Sequence, residues 1–260
     1  MTLVMTHRDE RDVVWLTLNR ADVRNAFNAE LIADLAAAAS ALHAELPRAV
    51  VLSGNGPSFS AGADLNWMRS ARDLSQAENL ADAKATGAMF QALDTLPCAV
   101  VGRVHGHALG GGVGLVAVCD MVVADLNTVF GFSEVQLGIA PAVISPFVVR
   151  KIGRSHARAL FVTGERFDAK WAEHIGLVHM AVDAEDLDGM VDAVISKVLS
   201  AGPTAIAVAK RLPDVALAPM AQAREQTAEI IAELRTGAEA QEGMAAFLEK
   251  RTPHWAPGAQ

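Results

Sequence analysis

Three short stretches of this 260-residue chain carry residue types that could do chemistry. They are Ser60-Ala61-Gly62-Ala63-Asp64, Leu109-Gly110-Gly111-Gly112, and a lone acid, Glu134, at the end of Phe130-Gly131-Phe132-Ser133-Glu134. The first two are built from small residues, which leave main-chain N–H groups approachable where a larger side chain would obstruct them. The triple glycine follows an apolar, β-branched run, Ala99 to Val104, and precedes an apolar run long enough for about three helical turns. Such a strand-to-helix junction offers an anionic oxygen the unpaired N–H groups of a first helical turn and the positive end of its dipole. The chemistry these groups suit is stabilisation of negative charge on an oxygen, with one carboxyl group to move a proton. A Gly-rich turn buried for packing accounts for the same letters, and Glu134 could instead cap the helix that follows it.

Other routes to chemistry are closed. A dinucleotide-binding Gly-x-Gly-x-x-Gly would need glycine three places after Gly112, where Leu115 stands. The chain has no phosphate-loop lysine motif, no Gly-x-Ser-x-Gly elbow and no metal-ligand spacing, so no metal or redox cofactor is expected. His105 and His107 flank Gly106 and are expected to be hydrogen-bonded structural histidines; Asp120 is expected to act as a cap or in a salt bridge. A net charge of −8 with no basic cluster argues against nucleic acid. Cys98 and Cys119 lie in apolar runs and suggest reduced core thiols of a cytoplasmic protein. Met1 to Asp12 is too polar for a signal peptide, and glycines and Asp120 interrupt Ala108 to Ala124, so no membrane span is expected. The 52% hydrophobic content implies extensive burial, some of it between subunits.

The elements that must position these groups alternate. Val13–Leu18, Ala49–Leu52, Ala99–Val104, Thr128–Phe132 and Leu177–Val182 have the pattern of buried strands. Helices are expected over Ala29–Glu45 with Asn28 as N-cap, from an Asp64 cap through Arg69, over Glu78–Leu93, and after the triple glycine. Further helices cover Ala142–Ile152, with Pro146 in the first turn, then His156–Phe161 and Ala169–His174. From Ala184 to Arg251 the chain has four helical segments broken near Gly202-Pro203, Pro213 to Pro219, and Gly237. This alternation predicts an α/β core, residues 1–199, with parallel strands and helical crossovers, followed by a helical region, residues 200–260.

The segments Phe59-Ser60-Ala61-Gly62-Ala63-Asp64-Leu65 and Gly106-His107-Ala108-Leu109-Gly110-Gly111-Gly112 resemble the crotonase (enoyl-CoA hydratase/isomerase) superfamily. Cys119-Asp120, Phe130-Gly131-Phe132-Ser133-Glu134 and the ending Glu242 to Arg251 extend the resemblance over nearly the whole chain. Glu134 through Val149 is similar to bacterial methylglutaconyl-CoA and carboxygeranoyl-CoA hydratases. The resemblance implies the crotonase (ClpP-like) fold, a spiral of repeated β-β-α units with a C-terminal helical trimerisation region. It also implies an acyl-CoA thioester substrate, no cofactor beyond the CoA it carries, and a homotrimer or dimer of trimers.

Carried over by motif position, the N–H groups of Ala63 and Gly111 would hold the thioester oxygen, and Glu134 would be the catalytic acid. In an apolar acyl pocket its pKa would be raised. Arg24, Ala26, Ala61, Asp64 and Leu65 would meet CoA, and Phe247 and Lys250 would reach a neighbouring subunit's CoA. Asp64 fits a helix cap better than a catalyst. Trp67, Met68, Gly110, Gly114, Phe132 and Gly138 would line the substrate pocket. At one position the chain departs from the pattern: where family hydratases usually carry a second glutamate it has Gly114. Water addition to an α,β-unsaturated acyl-CoA, branched or carboxylated chains included, is the reading favoured. The alternatives are a Δ3,Δ2-enoyl-CoA isomerase and an acyl-CoA-binding protein without turnover.

Overall fold

The computed structural model describes residues 2–258. The main sheet comprises Val4–Arg8 (β1), Val13–Leu18 (β2), Ala49–Gly54 (β3), Ala99–Val104 (β4), Met121–Asp125 (β6) and Met180–Val182 (β9), in that spatial order. From β2 onward every neighbour is parallel, as befits near-continuous apolar strands covered on both faces. Three short strands, His107–Leu109 (β5), Val129–Gly131 (β7) and Arg166–Asp168 (β8), form a second sheet. The spiral shows in the connections. β4 passes into β5 and then Gly111–Val118 (α4); β6 passes into β7 and then Ser145–Thr163 (α5). β3 likewise passes into a stretch bridged to β5 at Ser60 and Ala108, then into Leu65–Ala71 (α2) and Gln76–Asp94 (α3).

Side chains alternate across the main sheet with period two. Leu16, Leu18, Val50, Leu52, Val100 and Val122 point into a core shared with Ala29–Ala44 (α1), α3 and α4. Val13, Ala49, Val51, Val101 and Val123 point the other way, onto Val191, Val194, Ile195 and Leu199 of Leu187–Ser200 (α7). Ala169–His174 (α6) packs beside β8 and β9. α4 is apolar all round and buried from Gly112 to Val118, so the core fixes the helix that carries the triple glycine.

Pro203–Ala216 (α8), Met220–Thr236 (α9) and Ala238–Glu249 (α10) form the tail, in which only Ala223 and Ala246 among the described residues are buried. Polar ties hold it. Lys210 Nζ pairs with Asp120 at 2.9 Å, Arg48 donates to Leu199 O, Ala201 O and Trp255 O, and Glu239 accepts from Thr204 and Ala205 N–H at 2.8 Å each. Of the expected ranges 1–199 and 200–260, residues 1, 259 and 260 lie outside the described residues.

Several expectations need correction. β1 was not foreseen, because only Val4 of its five residues is buried and the rest are polar or exposed, as on an edge strand. β5 and β8 are three residues each, too short for alternation to show. The last strand is Met180–Val182, shorter than Leu177–Val182. The runs expected on either side of residue 153 meet as α5, broken at Gly153 (φ +75°), with Pro146 in its first turn. Pro213 lies inside α8 rather than at its end, in the last turn, where the helix ends within three residues.

Candidate active site

The stretch 60–64 is held between two neighbours. On one side Ser60 N–H donates to His107 O (2.9 Å) and Leu109 N–H donates to Ser60 O (3.0 Å). On the other, Ala61 N–H donates to Arg24 O (2.8 Å), Phe27 N–H to Gly62 O (2.6 Å) and Asp64 N–H to Phe27 O (2.8 Å). Because Phe27 bonds to the residues before and after Ala63, the Ala63 amide is turned away from Phe27, as in any parallel bridge. Among the described residues that N–H has no acceptor, and Ala63 is exposed. Gly111 opens α4, and among the described residues its N–H likewise has no partner. The two loops touch: a Cβ on Gly62 would stand 2.9 Å from Leu109 O, and φ of +86° at Gly62 suits only glycine well.

Glu134 sits in the 3-10 turn Ser133–Leu137, half-buried. A Cβ on Gly110 would lie 3.0 Å from its Oε1, so the carboxyl group rests against the residue that precedes the open end of α4. Its Oε2 is buried and, among the described residues, has no hydrogen-bond partner. Burial pushes the Glu134 pKa above its ordinary value, against a smaller opposing pull from its own main-chain N–H. A buried, incompletely satisfied carboxyl group next to two unpaired amides has the composition of a proton-transfer site beside an oxyanion site.

One turn further along α4, Gly114 is sealed. A Cβ there would stand 2.5 Å from Ile144 Cγ2 and 2.8 Å from Phe90 Cζ. Gly114 therefore packs beneath two apolar side chains and forms no open pocket wall. Phe132 is also a core residue, fully buried with its ring 4.9 Å from that of Phe161 and 6.1 Å from that of Phe167. Gly138 (φ +76°) ends the Glu134 turn in the open, with nothing within 4 Å of where a Cβ would sit. Trp67 and Met68 are half-buried on α2, Trp67 packing against the core.

Arg24 is exposed in a left-handed conformation, and Ala26 is buried with its carbonyl accepting from Arg20. Ala61 is half-buried, while Leu65 is 69% exposed at the start of α2. Asp64 is committed to structure: it accepts from Asn66 and Trp67 N–H and pairs with Arg20 at 2.9 Å. Burial opposes its ionisation, yet these donors hold the carboxyl below its usual range. Phe247, 83% exposed, and Lys250 project from the end of α10, which packs on α9. His105 bonds Gly56 O at 2.8 Å and His107 shares a hydrogen bond with Ser58 Oγ at 3.2 Å, so both are structural. Burial, with Arg24 and Arg166 nearby, lowers the His107 pKa. Asp120 accepts from Val100 N–H at 2.7 Å besides pairing with Lys210.

The enoyl-CoA hydratase/isomerase family model matches residues 8–258. The chain belongs to that family. It is similar to the 2,3-dehydroadipyl-CoA hydratase of Escherichia coli K12, 34% identical, the match covering 97% of this chain and 98% of that one. The mevalonyl-coenzyme A hydratase sidH of Aspergillus fumigatus is 31% identical over 94% of this chain and 92% of its own. The crystal structure of an enoyl-CoA hydratase from Shewanella pealeana superposes with a TM-score of 0.93 at 36% identity, covering 97% and 96% of the two chains. As an enzyme of the enoyl-CoA hydratase family, the chain brings Ala61–Asp64, Arg24–Phe27, Leu109–Gly111 and Glu134 together. Reading the sequence missed Phe90 and Ile144, which arrive from distant elements and carry no local signal. It also missed Arg20 and Asn25, whose types are ordinary in turns, and the bond from the Ser60 hydroxyl to Asn25 O.

Proposed function

We propose that the enzyme adds water across the double bond of an α,β-unsaturated acyl-CoA, with the thioester oxygen between the Ala63 and Gly111 amides. As hydroxide adds to C3, Glu134 takes the proton from the water; the negative charge then rests on the thioester oxygen as an enolate. Glu134 returns the proton to C2, so atoms and charge balance with one carboxyl group serving both halves. Each fixed amide is worth on the order of 3 kcal/mol in such a barrier. The observation that carries this reading is the buried Glu134 carboxyl group resting against Gly110, at the mouth of two loops whose Ala63 and Gly111 N–H groups have no internal acceptor. The relatives named for dehydroadipyl-CoA and mevalonyl-CoA support a hydratase and an acyl chain with a carboxylate or a branch, methylglutaconyl-CoA being the model substrate.

The CoA moiety is placed along Arg24, Ala26 and residues 61–65, with Asp64 contributing main chain only. Phe247 and Lys250 are assigned to the CoA of a neighbouring subunit in a trimer or dimer of trimers, and their exposure suits contact with another chain. The thioester's own CoA is the only cofactor this chemistry requires. One observation favours a second reading. With Gly114 sealed by Ile144 and Phe90, the single acid at Glu134 suffices to carry a proton from C2 to C4 of a 3-enoyl-CoA, which is double-bond isomerisation.

The test is to incubate the enzyme with crotonyl-CoA, 3-methylglutaconyl-CoA and a 3-enoyl-CoA while following thioester absorbance and products. Water addition that disappears in Glu134→Gln supports the first reading. Double-bond migration without hydration supports the second, and binding without turnover on all three contradicts both.

A further inference from the structure

Asn25 is the most completely bonded side chain near the site, and nothing in the chemistry above uses it. It is fully buried, in a left-handed conformation (φ +55°) directly after another, Arg24 (φ +53°). A pair of left-handed residues that are not glycine is held only where surrounding bonds outweigh the strain. Those bonds are present. Asn25 N–H donates to Arg20 O (2.9 Å), and its Oδ1 accepts from Arg20 N–H (2.8 Å). Its Nδ2 donates to Asn55 O (2.9 Å) and Ser58 O (2.8 Å), and its carbonyl accepts from Ser60 Oγ (2.8 Å). Every donor and the Oδ1 and carbonyl acceptors are thus engaged within the chain, and a bound molecule is offered no free donor.

The partners fall into two groups. Arg20 belongs to the turn that also supplies Arg24 O and Phe27 to the 60–64 stretch, and its guanidinium pairs with Asp64. Asn55 and Ser58 belong to the segment leading into that stretch, and Ser60 opens it. Asn25 therefore spans the gap between the turn and the segment, just upstream of the unpaired Ala63 amide. An oxyanion donor acts through fixed direction and distance, so the group that fixes the loop sets how strongly the amide meets the oxygen.

We propose that Asn25 is the positioning residue for the Ala63 amide: by clamping the turn at Arg20 to the chain at Asn55, Ser58 and Ser60, it aims that N–H at the thioester oxygen. The inference rests on the reading of Ala63 as an oxyanion donor.

The experiment uses Asn25→Gly, which keeps the left-handed backbone and removes the side-chain clamp, and crotonyl-CoA labelled with carbon-13 at the thioester carbon. Infrared difference spectra report how far the bound carbonyl is polarised, and steady-state kinetics separate kcat from KM. In the parent enzyme the carbonyl band shifts down on binding. In folded Asn25→Gly the shift shrinks and kcat falls on the order of 10- to 100-fold, with KM near the parent value, as expected for a misplaced reacting geometry. A folded Asn25→Gly with unchanged band and kcat overturns the inference. If Asn25→Gly does not fold, Asn25→Ser is measured instead, because its single hydroxyl donor can replace at most one of the two Nδ2 bonds to Asn55 O and Ser58 O. A partial loss of the shift in folded Asn25→Ser supports the inference, and an unchanged band overturns it. Replacing the Ala63 amide by an ester separates the two ideas. If the ester keeps the full shift, the Ala63 reading fails and Asn25 falls with it. If the ester loses the shift while Asn25→Gly keeps it, only the inference fails.

Discussion

One turn of α4 separates Gly110 from Gly114, and the two glycines have opposite surroundings. Over Gly110 lies a carboxyl oxygen of Glu134; over Gly114 lie a methyl group of Ile144 and the ring of Phe90. The first end is polar, incompletely satisfied and flanked by the unpaired amides of Ala63 and Gly111. The second is dry and closed, with Phe90 packed in turn on Phe27 and Phe147 at ring distances of 6.1 and 5.8 Å. The contrast teaches that the chain gathers unpartnered polar groups at the helix N-terminus and gives the next turn to packing. Glycine serves both ends: at Gly110 it leaves room for an acid (φ +48°), and at Gly114 for a core.

The comparison breaks most visibly at Glu134. Glu134→Gln keeps the shape and removes the proton carrier, so kcat is expected to fall by about 10²- to 10⁴-fold with acyl-CoA affinity retained. Parent-like turnover in that variant would mean the polar end is not where chemistry happens. The next largest effect is at the amide. Replacing the Ala63 N–H by an ester oxygen should lower kcat by roughly 10²- to 10³-fold, measured on the same acyl-CoA.

The dry end makes a stability prediction instead. Gly114→Ala forces a methyl group onto Ile144 and Phe90 and should destabilise the fold by about 1–3 kcal/mol in denaturant titrations. Gly114→Glu should gain no hydratase activity unless Phe90 and Ile144 are both cut back to alanine. If Gly114→Glu alone folds normally and accelerates hydration, the seal is not one.

How much of this was legible follows the same divide. Glu134 and the two small-residue loops stood out because their types were unusual at a strand end and a helix start. The parallel strands β2, β3 and β4 stood out because burial on both faces makes them continuous apolar runs, whereas β6 was hidden in the longer apolar stretch that also holds α4. Asn25 did not, since its importance lies in bonds to Arg20, Asn55, Ser58 and Ser60, and an asparagine in a turn has many uses. The seal over Gly114 was equally hidden. Phe90 and Ile144 reach it from α3 and from the turn before α5, a placement only tertiary packing creates. Phe132, expected in the substrate pocket, went to the core because β7 turns it toward Phe161 and Phe167.

The smallest expected effect sharpens the electrostatic side of the contrast. Burial raises the Glu134 pKa, so the fold favours the protonated acid, and Glu134 destabilises increasingly as pH rises through its folded pKa. Glu134→Gln, neutral at every pH, should therefore melt higher than the parent near neutrality. The difference should vanish below the ordinary glutamate value of about 4.3, where the acid is protonated in both folded and unfolded chains. Equal melting temperatures across this range would place Glu134 in water rather than against Gly110.

Proton exchange beside a thioester, by one acid next to paired amides, is expected whatever acyl chain the enzyme prefers. It is tested most directly by nuclear magnetic resonance of butyryl-CoA in deuterated water, following loss of the C2 proton signal. The parent enzyme should catalyse that exchange, and Glu134→Gln should bind butyryl-CoA and leave the signal intact. Exchange at the parent rate in Glu134→Gln, or none in the parent with butyryl-CoA bound, would contradict the account.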